Sequence, residues 1–243
     1  MIPKRIHQIW IGEVEMPGRW KVWCQTVKKA HPDWEYTLWT NSKVEKIKAE
    51  MPSNILEKYN KFYDSKVFAL AADVLRFWVV YKYGGVGLDC DFKMQPNGNL
   101  NMLPLDNNLI LTNMRPTVSG QPLKCRLQNC FYAATPEYPF MKTLVDRLGN
   151  QNYEILTAER KPMDKYNCQY LTTEYLLYIN PSYSKKLPIF AIEDLSIYKL
   201  PEKEVILDTS YFLQKDSKIA FHFECRSHAE KNRKKFTLDG NGE

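Results

Sequence analysis

The sequence lacks the patterns that define several large classes of protein. No C-x-x-C pair occurs among its six cysteines, which excludes the common zinc-binding and dithiol redox motifs. The longest uninterrupted apolar run, residues 77–81, is much shorter than the ~20 residues of a membrane-spanning helix. The first residues, MIPKRIHQIWIG, lack the apolar stretch and cleavage site of a secretory signal peptide. We therefore expect a cytoplasmic protein without a membrane span, for which contact with a membrane surface remains open.

What is present indicates one folded domain. The 243 residues are 44% hydrophobic and 26% charged, proportions that exclude a disordered chain. No internal repeat or flexible linker divides them, so a single domain is the simplest expectation. The scattered cysteines fit free thiols better than a disulfide framework. The net charge of +6 suits an anionic partner, but no recognised nucleic-acid-binding module accompanies it, so we expect no nucleic acid partner.

Aromatic residues are abundant, with 15 tyrosines, 11 phenylalanines and six tryptophans. Such a share predicts either a large aromatic core or a site that stacks flat ligands. Helical spacing assigns Trp20, Trp23, Trp78 and Tyr81 to the core. Trp10 differs from them because it lies near the end of an apolar strand-like segment that Gly12 closes, where a ring can stack on a nucleotide base.

Short strand-like segments alternate with longer helix-like segments, which is the pattern of an α/β fold. Strands are predicted at residues 5–11, 34–39, 86–88, 108–112, 128–134, 197–200 and 218–223. Helices are predicted at residues 17–30, 41–50, 65–83, 139–148 and 167–179, and from residues 52 and 227 onward.

The helix predicted at 65–83 carries the strongest signal. Apolar residues recur in it every three or four positions, which predicts one apolar face. Gly84 and Gly85 follow directly and predict its end. In the helix predicted at 41–50, Asn41 and Ser42 are the expected N-terminal caps.

Two acidic residues, Asp89 and Asp91, flank Cys90 directly after the apolar residues 86–88. Ligands of open α/β sheets bind at the carboxyl ends of strands, where this pair is expected. Neighbouring carboxylates repel each other unless a cation lies between them, and Mg²⁺ and Mn²⁺ prefer oxygen ligands. The pair therefore predicts either a divalent cation with positions left open for phosphate oxygens, or an acidic loop without a ligand.

Asp73 and Arg76 lie three residues apart in the strongest helix, so they share a helix face. They form either a local ion pair at the edge of the core or a polar pair that holds a polyhydroxylated ligand. The chain from this pair to Asp89 is short, so all three side chains can reach one cleft.

Three classes of function fit these residues. One is an enzyme that binds phosphate oxygens through a cation on the acidic pair and a polyhydroxylated ligand through the Asp–Arg pair. A phosphatase of the aspartyl-phosphate kind also places Asp-x-Asp after an apolar strand, although residues 91–93 (DFK) differ from its usual continuation. A non-catalytic carbohydrate-binding module is the remaining alternative, which would keep the aromatics but does not require the acidic pair.

Three segments resemble the DXD-motif glycosyltransferases of the α-1,4-galactosyltransferase type. They are IPKRIHQIWIG (2–12), HPDWEYTLW (31–39) and ALAADVLRFWVVYKYGGVGLDCDF (69–92), in the order and spacing of that family. NCFYAATPEYPFM (129–141) resembles the segment that follows, and IAFHFECRSH (219–228) has a weaker similarity to the closing segment.

The resemblance implies a GT-A type α/β fold, with a mixed central sheet flanked by helices in a single Rossmann-like domain over residues 1–243. Residues 1–95 would be the nucleotide-sugar-binding half ending in the DXD motif. Residues 96–243 would be the acceptor-side half with a basic tail. The implied reaction is metal-dependent transfer of a sugar from a UDP- or GDP-linked donor to a hydroxyl of a glycan or other acceptor, with retention of configuration.

The resemblance also implies roles for individual residues. Catalytic roles fall to Asp73, Arg76 and Asp91. Donor-binding positions are Ile9, Trp10, Asp73, Arg76, Asp89, Cys90, Asp91 and Asn129. A Mn²⁺ or Mg²⁺ ion would be held by Asp89 and Asp91, with His222 and Ser227 as further candidate ligands.

The sequence departs from the family pattern at three places. Thr172, Thr173 and Glu174 stand where the family has Thr-Gly-Pro, so the glycine turn is absent and a different acceptor side is implied. Gly87 stands where a tyrosine is common, so one ring is absent from the implied donor site. His228 follows Ser227 where the family has a tryptophan after the serine.

Overall fold

The computed structural model describes residues 1–113, 124–125, 127–150, 168–182, 193–194, 200–207, 211–212 and 217–222. Most of the strand predicted at 197–200, and the helix predicted from residue 227 with Ser227 in it, lie outside these residues.

The described strands largely match the predicted ones. They are β1 (Arg5–Ile9), β2 (Glu35–Trp39), β3 (Gly85–Leu88), β4 (Phe92–Met94), β5 (Leu109–Asn113), β6 (Lys124–Cys125), β7 (Leu127–Ala134), β8 (Glu193–Asp194), β9 (Glu204–Leu207) and β10 (Ala220–His222). The first strand ends two residues earlier than predicted, so Trp10 follows β1 instead of closing it.

The described helices are α1 (Gly18–Ala30), α2 (Asn41–Ile47), α3 (Ser53–Asp64), α4 (Phe68–Tyr83), α5 (Pro139–Asn150) and α6 (Cys168–Ile179). Helix α4 begins three residues later than predicted. Ser65 is instead the C-cap that follows α3, and Lys66 has a φ of 60°, which lies outside the right-handed helical region.

Six strands form a mixed sheet in the order β2-β1-β3-β7-β5-β9. Strand β1 runs parallel to both of its neighbours, β2 and β3, whereas β7 runs antiparallel to β3 and β5. Strands β4 and β10 form a separate antiparallel pair. The predicted α/β class with a mixed sheet is confirmed, and the carboxyl ends of β1, β2 and β3 meet at one edge of the sheet.

Alternate side chains of the sheet face two different hydrophobic layers, as the two-residue period of a strand requires. In β7, Tyr132 and Ala134 join the layer formed with α3, α4, α5 and α6. Phe131 and Ala133 join the opposite layer, which includes Val27 of α1. Helices therefore cover both faces of the sheet.

Helix α4 is buried on all sides, which corrects the prediction of a single apolar face. Every residue from Asp73 to Val80 is buried, because β3 and β7 lie beneath the helix and α3 and α5 lie beside it. A helix enclosed in this way has no solvent face on which polar residues belong. Asp73 and Arg76 are therefore exceptions that need partners inside the protein.

Two residues had predicted roles at helix ends, and only one of them has that role in the structure. Gly84 ends α4 as predicted, with a φ of 65°. Asn41 makes no capping bond in α2. Its side chain instead accepts a hydrogen bond from the Gly12 N–H (3.0 Å) and donates one to the Gly12 carbonyl (2.8 Å). This amide thus connects the loop after β1 to the start of α2.

Gly85 is expected to be the glycine on which the pairing of β1 with β3 depends. Its φ is 101°, and a Cβ atom there would lie 2.6 Å from the Arg5 carbonyl oxygen. We expect Gly85→Ala to lower the free energy of unfolding by about 2 kcal/mol or more, because backbone strain and a clash with a backbone atom add together. Urea denaturation provides the measurement.

Gly18→Ala is the matched control, since a Cβ at Gly18 would meet no atom within 4 Å. It is expected to change the free energy of unfolding by less than about 0.5 kcal/mol. Equal effects of the two substitutions would contradict the role given to Gly85.

Candidate active site

Three chain segments meet at the edge of the sheet where β1 and β3 end. Trp10 follows β1, and Asp89 to Asp91 follow β3, which is parallel to β1. The antiparallel strand β7 brings its first residues to the same edge, where the Asp89 N–H donates to the Cys130 carbonyl at 2.9 Å. Asn129 therefore arrives beside the acidic pair through strand pairing.

The guanidinium of Arg76 joins two carboxylates from different elements. It donates through Nη2 to Asp73 Oδ1 (2.5 Å) within α4, and through Nη1 to Asp89 Oδ1 after β3. Asn129 Nδ2 also donates to Asp73 Oδ1, at 3.3 Å. The structure thus brings together four of the predicted site residues in one network.

Exposure distinguishes the members of this network. The side chains of Asp73 and Arg76 are only 9% and 7% exposed, whereas that of Asp89 is 37% exposed. Asp89 is therefore more open to an incoming ligand than Asp73 and Arg76 are.

Burial governs the protonation of the pair on α4. Loss of solvent raises the pKa of Asp73 to about 7, an effect that the neighbouring Arg76 reduces and Asp89 reinforces. Burial by itself would lower the pKa of Arg76, but the carboxylates of Asp89 and Asp73 outweigh it and raise the pKa well above its ordinary value. Arg76 therefore stays positively charged.

The backbone between the two acidic residues is held from the α1 side of the sheet. Gln8 Nε2 donates to the Asp89 carbonyl at 2.9 Å, and Tyr36 Oη donates to Gln8 Oε1 at 2.8 Å. Cys24 Sγ lies 3.7 Å from the Cys90 carbonyl, and Cys90 Sγ lies 3.3 Å from the Ile9 carbonyl. Cys24 and Cys90 are both free thiols, as predicted for the cysteines of this chain.

Sequence reasoning missed Gln8, Tyr36 and Cys24. One signal was available for Gln8, since it is a polar residue in the middle of a strand whose central residues are buried. Such a side chain needs an internal hydrogen-bond partner. No comparable signal identified Tyr36 or Cys24.

Trp10 is half-buried at the same edge. Its indole Nε1 donates to the Val14 carbonyl at 2.9 Å, and its ring meets that of Trp20 edge-to-face at a centroid distance of 4.9 Å. Trp20 is also half-buried, so its assignment to the core by helical spacing was only partly correct. Ile9, the last residue of β1, packs against the helical layer of the core.

The residues that could hold a cation lie where β4 begins. Asp91 directly precedes β4 and is 6% exposed, and the antiparallel pairing of β4 with β10 places His222 opposite Phe92. Among the residues that the structure describes, no group of three His, Cys, Asp or Glu side chains is arranged around a metal position. The two carboxylates nevertheless supply the hard oxygen donors that suit Mg²⁺ or Mn²⁺ bound through few protein ligands.

Comparison with known proteins identifies this region. Residues 17–110 match the family described as "Glycosyltransferase sugar-binding region containing DXD motif". Inositol phosphoceramide mannosyltransferase 1 of Schizosaccharomyces pombe is 30% identical over 161 residues, which cover 64% of this chain and 46% of that protein. Inositol phosphoceramide mannosyltransferase 2 of the same yeast is 41% identical over 96 residues, covering 37% of this chain and 25% of that protein. Residues 17–110 are thus similar to this DXD glycosyltransferase family.

The extent of the match limits what the relatives say about this chain. The chain spans less than half the length of these curated relatives. The matched family region contains Asp73, Arg76, Asp89 and Asp91, but Trp10 lies outside it. The match over residues 17–110 favours the glycosyltransferase interpretation over the phosphatase and carbohydrate-binding alternatives.

A solved structure agrees with the predicted fold. The PaToxG glycosyltransferase superposes on this chain with a TM-score of 0.52 at 18% sequence identity, covering 74% of this chain and 70% of that one. This likeness, with the mixed sheet and its flanking helices, confirms the GT-A type fold for this chain. No helix among the described residues is long and apolar enough to cross a membrane.

The buried carboxyl of Asp73 predicts a dependence of stability on pH. The pKa of Asp73 is about 7 in the folded protein, against an ordinary value of 3.8. Between these values the native state keeps a proton that the unfolded chain has released. The free energy of unfolding should therefore decrease as pH rises from 3.8 to about 7. Urea denaturation across this range measures the effect.

Asp73→Asn is the control for this dependence, because the amide cannot titrate. His7, whose pKa burial lowers to about 4, contributes an opposite trend, but it is present in both proteins and cancels in their difference. Parallel stability curves for the wild type and Asp73→Asn would contradict the shifted titration of Asp73.

Proposed function

We propose that the chain transfers a glycosyl group from a nucleoside diphosphate sugar to an acceptor hydroxyl. The observation that carries the proposal is the buried network in which Arg76 joins Asp73 of α4 to Asp89 of the DXD segment. Such a buried charge cluster at the carboxyl edge of parallel strands is typical of a functional site. The bond from the anomeric carbon to the diphosphate breaks, and a bond from that carbon to the acceptor oxygen forms.

Asp73, Asp89 and Asn129 are proposed to hold the donor sugar. Carboxylate oxygens accept hydrogen bonds from sugar hydroxyls, and the partly exposed Asp89 is the carboxylate that a sugar reaches first. Arg76 acts as a positioning residue, since its buried guanidinium is engaged by both carboxylates and fixes where they point. The position of the sugar in turn decides the approach of the acceptor.

Trp10 is proposed to stack on the nucleotide base. Its indole N–H is already used by Val14, so the ring is fixed in orientation and presents an aromatic surface at the edge where β1 ends. Ile9 and Cys90 would line this part of the donor site, because the thiol of Cys90 bonds to the Ile9 carbonyl.

Asp89 and Asp91 are proposed to hold Mn²⁺ or Mg²⁺, with His222 as a further candidate because β10 brings it opposite Phe92. When bound, a divalent cation stabilises the negative charge that develops on the departing diphosphate. Since no group of three His, Cys, Asp or Glu side chains in the described part of the chain is arranged to hold a metal ion, donor oxygens and water would complete the coordination. Ser227, predicted as another ligand, lies outside the described residues.

The sugar and acceptor are proposed from the relatives. Two of them are named inositol phosphoceramide mannosyltransferases, so a GDP- or UDP-linked hexose, with mannose first, is the donor to test. The acceptor would be a hydroxyl of a glycan or glycolipid. We further propose that configuration is retained, and that residues 1–95 form the donor half and 96–243 the acceptor half of a single domain.

The acidic pair is expected to make nucleotide binding dependent on the cation. In titration calorimetry, Mn²⁺ should raise the affinity for UDP or GDP. Asp91→Asn and Asp89→Asn should each reduce that gain by at least about tenfold. Loss of a residue that only hydrogen-bonds to a metal ligand already weakens metal binding by about this much, and loss of the ligand itself should cost no less. A panel of nucleotide sugars, assayed by release of nucleoside diphosphate, then identifies the donor.

Asp106→Asn is the matched control, since this acidic residue is exposed and lies away from the DXD segment. It should leave the Mn²⁺ effect unchanged. Metal-independent binding of the nucleotide would overturn the metal role, and clear binding of glycans without turnover of any donor would favour a carbohydrate-binding protein.

Stacking on Trp10 is expected to change the intrinsic fluorescence when UDP or GDP binds. Trp10→Phe should remove most of this change and weaken nucleotide affinity by about 1 kcal/mol, as expected for one aromatic contact. Trp20→Phe is the control, because that ring meets Trp10 only edge-to-face. A fluorescence change that persists in Trp10→Phe would show that another tryptophan reports the binding.

A further inference from the structure

Two thiols meet where α1 packs against the DXD segment, residues 89–91. Cys24 of α1 and Cys90 of that segment are both free, and they form one small buried cluster with Met16. The two thiols lie within hydrogen-bonding reach of each other. They are 66 positions apart in the chain, so the fold alone brings them together. The proposed transfer reaction does not use the Cys24 thiol.

Cys24 also lines a cavity on the α1 side of the sheet. The cavity has a volume of about 340 Å³ and lies between α1, β2 and the start of α2. Lys21, Lys28 and Lys43 line it as well, and Lys21 is paired with Glu15. A small polar oxidant can therefore approach the Cys24 sulfur through this cavity, past positively charged side chains.

The neighbourhood of Cys24 favours its reactive form. The adjoining Cys90 thiol lowers the pKa of Cys24 by more than burial raises it. The thiolate is the form of cysteine that attacks an oxidant, and nearby lysines favour it further. Cys24 is therefore the thiol of the pair that reacts first, and Cys90 is the thiol that resolves the product.

We propose that Cys24 and Cys90 are a peroxide-sensitive pair, whose oxidation to a disulfide ties the DXD segment to α1. The Cys24 sulfur attacks one peroxide oxygen, the O–O bond breaks, and one water leaves as Cys24 becomes a sulfenic acid. The Cys90 sulfur then attacks the Cys24 sulfur and forms the S–S bond. The sulfenic hydroxyl leaves with the Cys90 proton as a second water. One peroxide thus accepts the two electrons that the two thiols lose.

Oxidation removes both thiol hydrogens, and with them two contacts that hold the DXD segment. In the reduced protein the Cys24 thiol donates to the Cys90 carbonyl at 3.7 Å, and the Cys90 thiol donates to the Ile9 carbonyl at 3.3 Å. The disulfide replaces these weak bonds with a covalent link to α1. The segment is therefore detached from the end of β1 and held from the helix instead.

The two acidic residues respond differently to this change. Asp89 stays with the sheet, since its N–H donates to the Cys130 carbonyl, its carbonyl accepts from Gln8 and its carboxylate accepts from Arg76. Asp91 follows the tethered residue directly, so a shift of that backbone moves its carboxylate. The spacing of the two carboxylates changes, and Mg²⁺ in particular tolerates little departure from its preferred geometry.

The substrate-free test asks whether the two thiols pair on oxidation. Reduced protein is treated with hydrogen peroxide and then digested with trypsin without reduction. Cleavage after lysine and arginine leaves Cys24 in residues 22–28 and Cys90 in residues 83–93, and neither peptide contains another cysteine. Mass spectrometry should find these two peptides joined by a disulfide. Their recovery unjoined, or joined chiefly to other cysteines, would overturn the proposal.

The effect on binding is measured separately, and it rests on the proposed function. After removal of the peroxide, the Mn²⁺-dependent gain in affinity for UDP or GDP should be at least about tenfold smaller in the oxidised protein, the scale of a disturbed metal site. Dithiothreitol should restore the gain, whereas it does not reverse oxidation of methionine. Fully joined protein that keeps the whole gain would overturn the regulatory role of the pair.

Cys24→Ser is the matched variant, because its hydroxyl can still donate to the Cys90 carbonyl but cannot form a disulfide. Peroxide should leave the Mn²⁺ effect of this variant at its untreated value. Cys130→Ser removes another buried free thiol and should remain as sensitive as the wild type. Equal sensitivity of Cys24→Ser and the wild type would contradict the pairing. If Cys24→Ser fails to fold, the wild-type protein before and after dithiothreitol decides the question.

The two proposals fail in different ways. If the reduced protein neither binds nucleoside diphosphates nor releases them from any sugar donor, the proposed function is wrong. Peptide mapping still decides in that case whether Cys24 and Cys90 form the disulfide.

Discussion

The buried ion pairs of Arg76 are the constraint on which the site depends. Asp73 and Asp89 are close enough that each affects the other's charge, and the positive charge between them offsets their repulsion. Removing one member of a buried pair such as Asp73–Arg76 leaves an uncompensated charge, which costs roughly 3–5 kcal/mol. The helix that carries the pair is enclosed by protein, so no solvent replaces a lost partner.

The DXD segment is held from both faces of the sheet. On the α4 face, Arg76 binds the Asp89 carboxylate, whereas on the α1 face Gln8 binds the Asp89 carbonyl and Tyr36 orients Gln8. Rigid elements thus fix both the backbone and one side chain of the same residue. Preorganisation of this kind favours a site that positions a substrate without first rearranging. The partly exposed carboxylate of Asp89 is where this fixed framework opens outward.

Local sequence patterns predicted where helices and strands begin and end better than they predicted what packs around each of them. The glycine pair correctly ended α4, and the acidic pair follows a strand as predicted. The same periodicity wrongly indicated a single apolar face for α4, because a helix covered from several sides also shows apolar residues at three-to-four spacing. Asn41 stands at a typical capping position, yet its amide binds the backbone of Gly12. A capping residue can be identified from its position in the sequence, but the sequence does not show that its side chain bonds to a distant backbone group instead.

The sequence by itself determined the α/β class, the order of most strands and helices, and the family that residues 17–110 resemble. These follow from local periodicity, from glycines at helix ends and from motifs within short segments. Only the tertiary structure decided that Arg76 reaches Asp89, that Asn129 joins Asp73, and that Gln8 supports the DXD backbone. These contacts join residues 13, 56 and 81 positions apart in the chain. Strand order and register create such contacts, and neither can be deduced from the local pattern of any one segment.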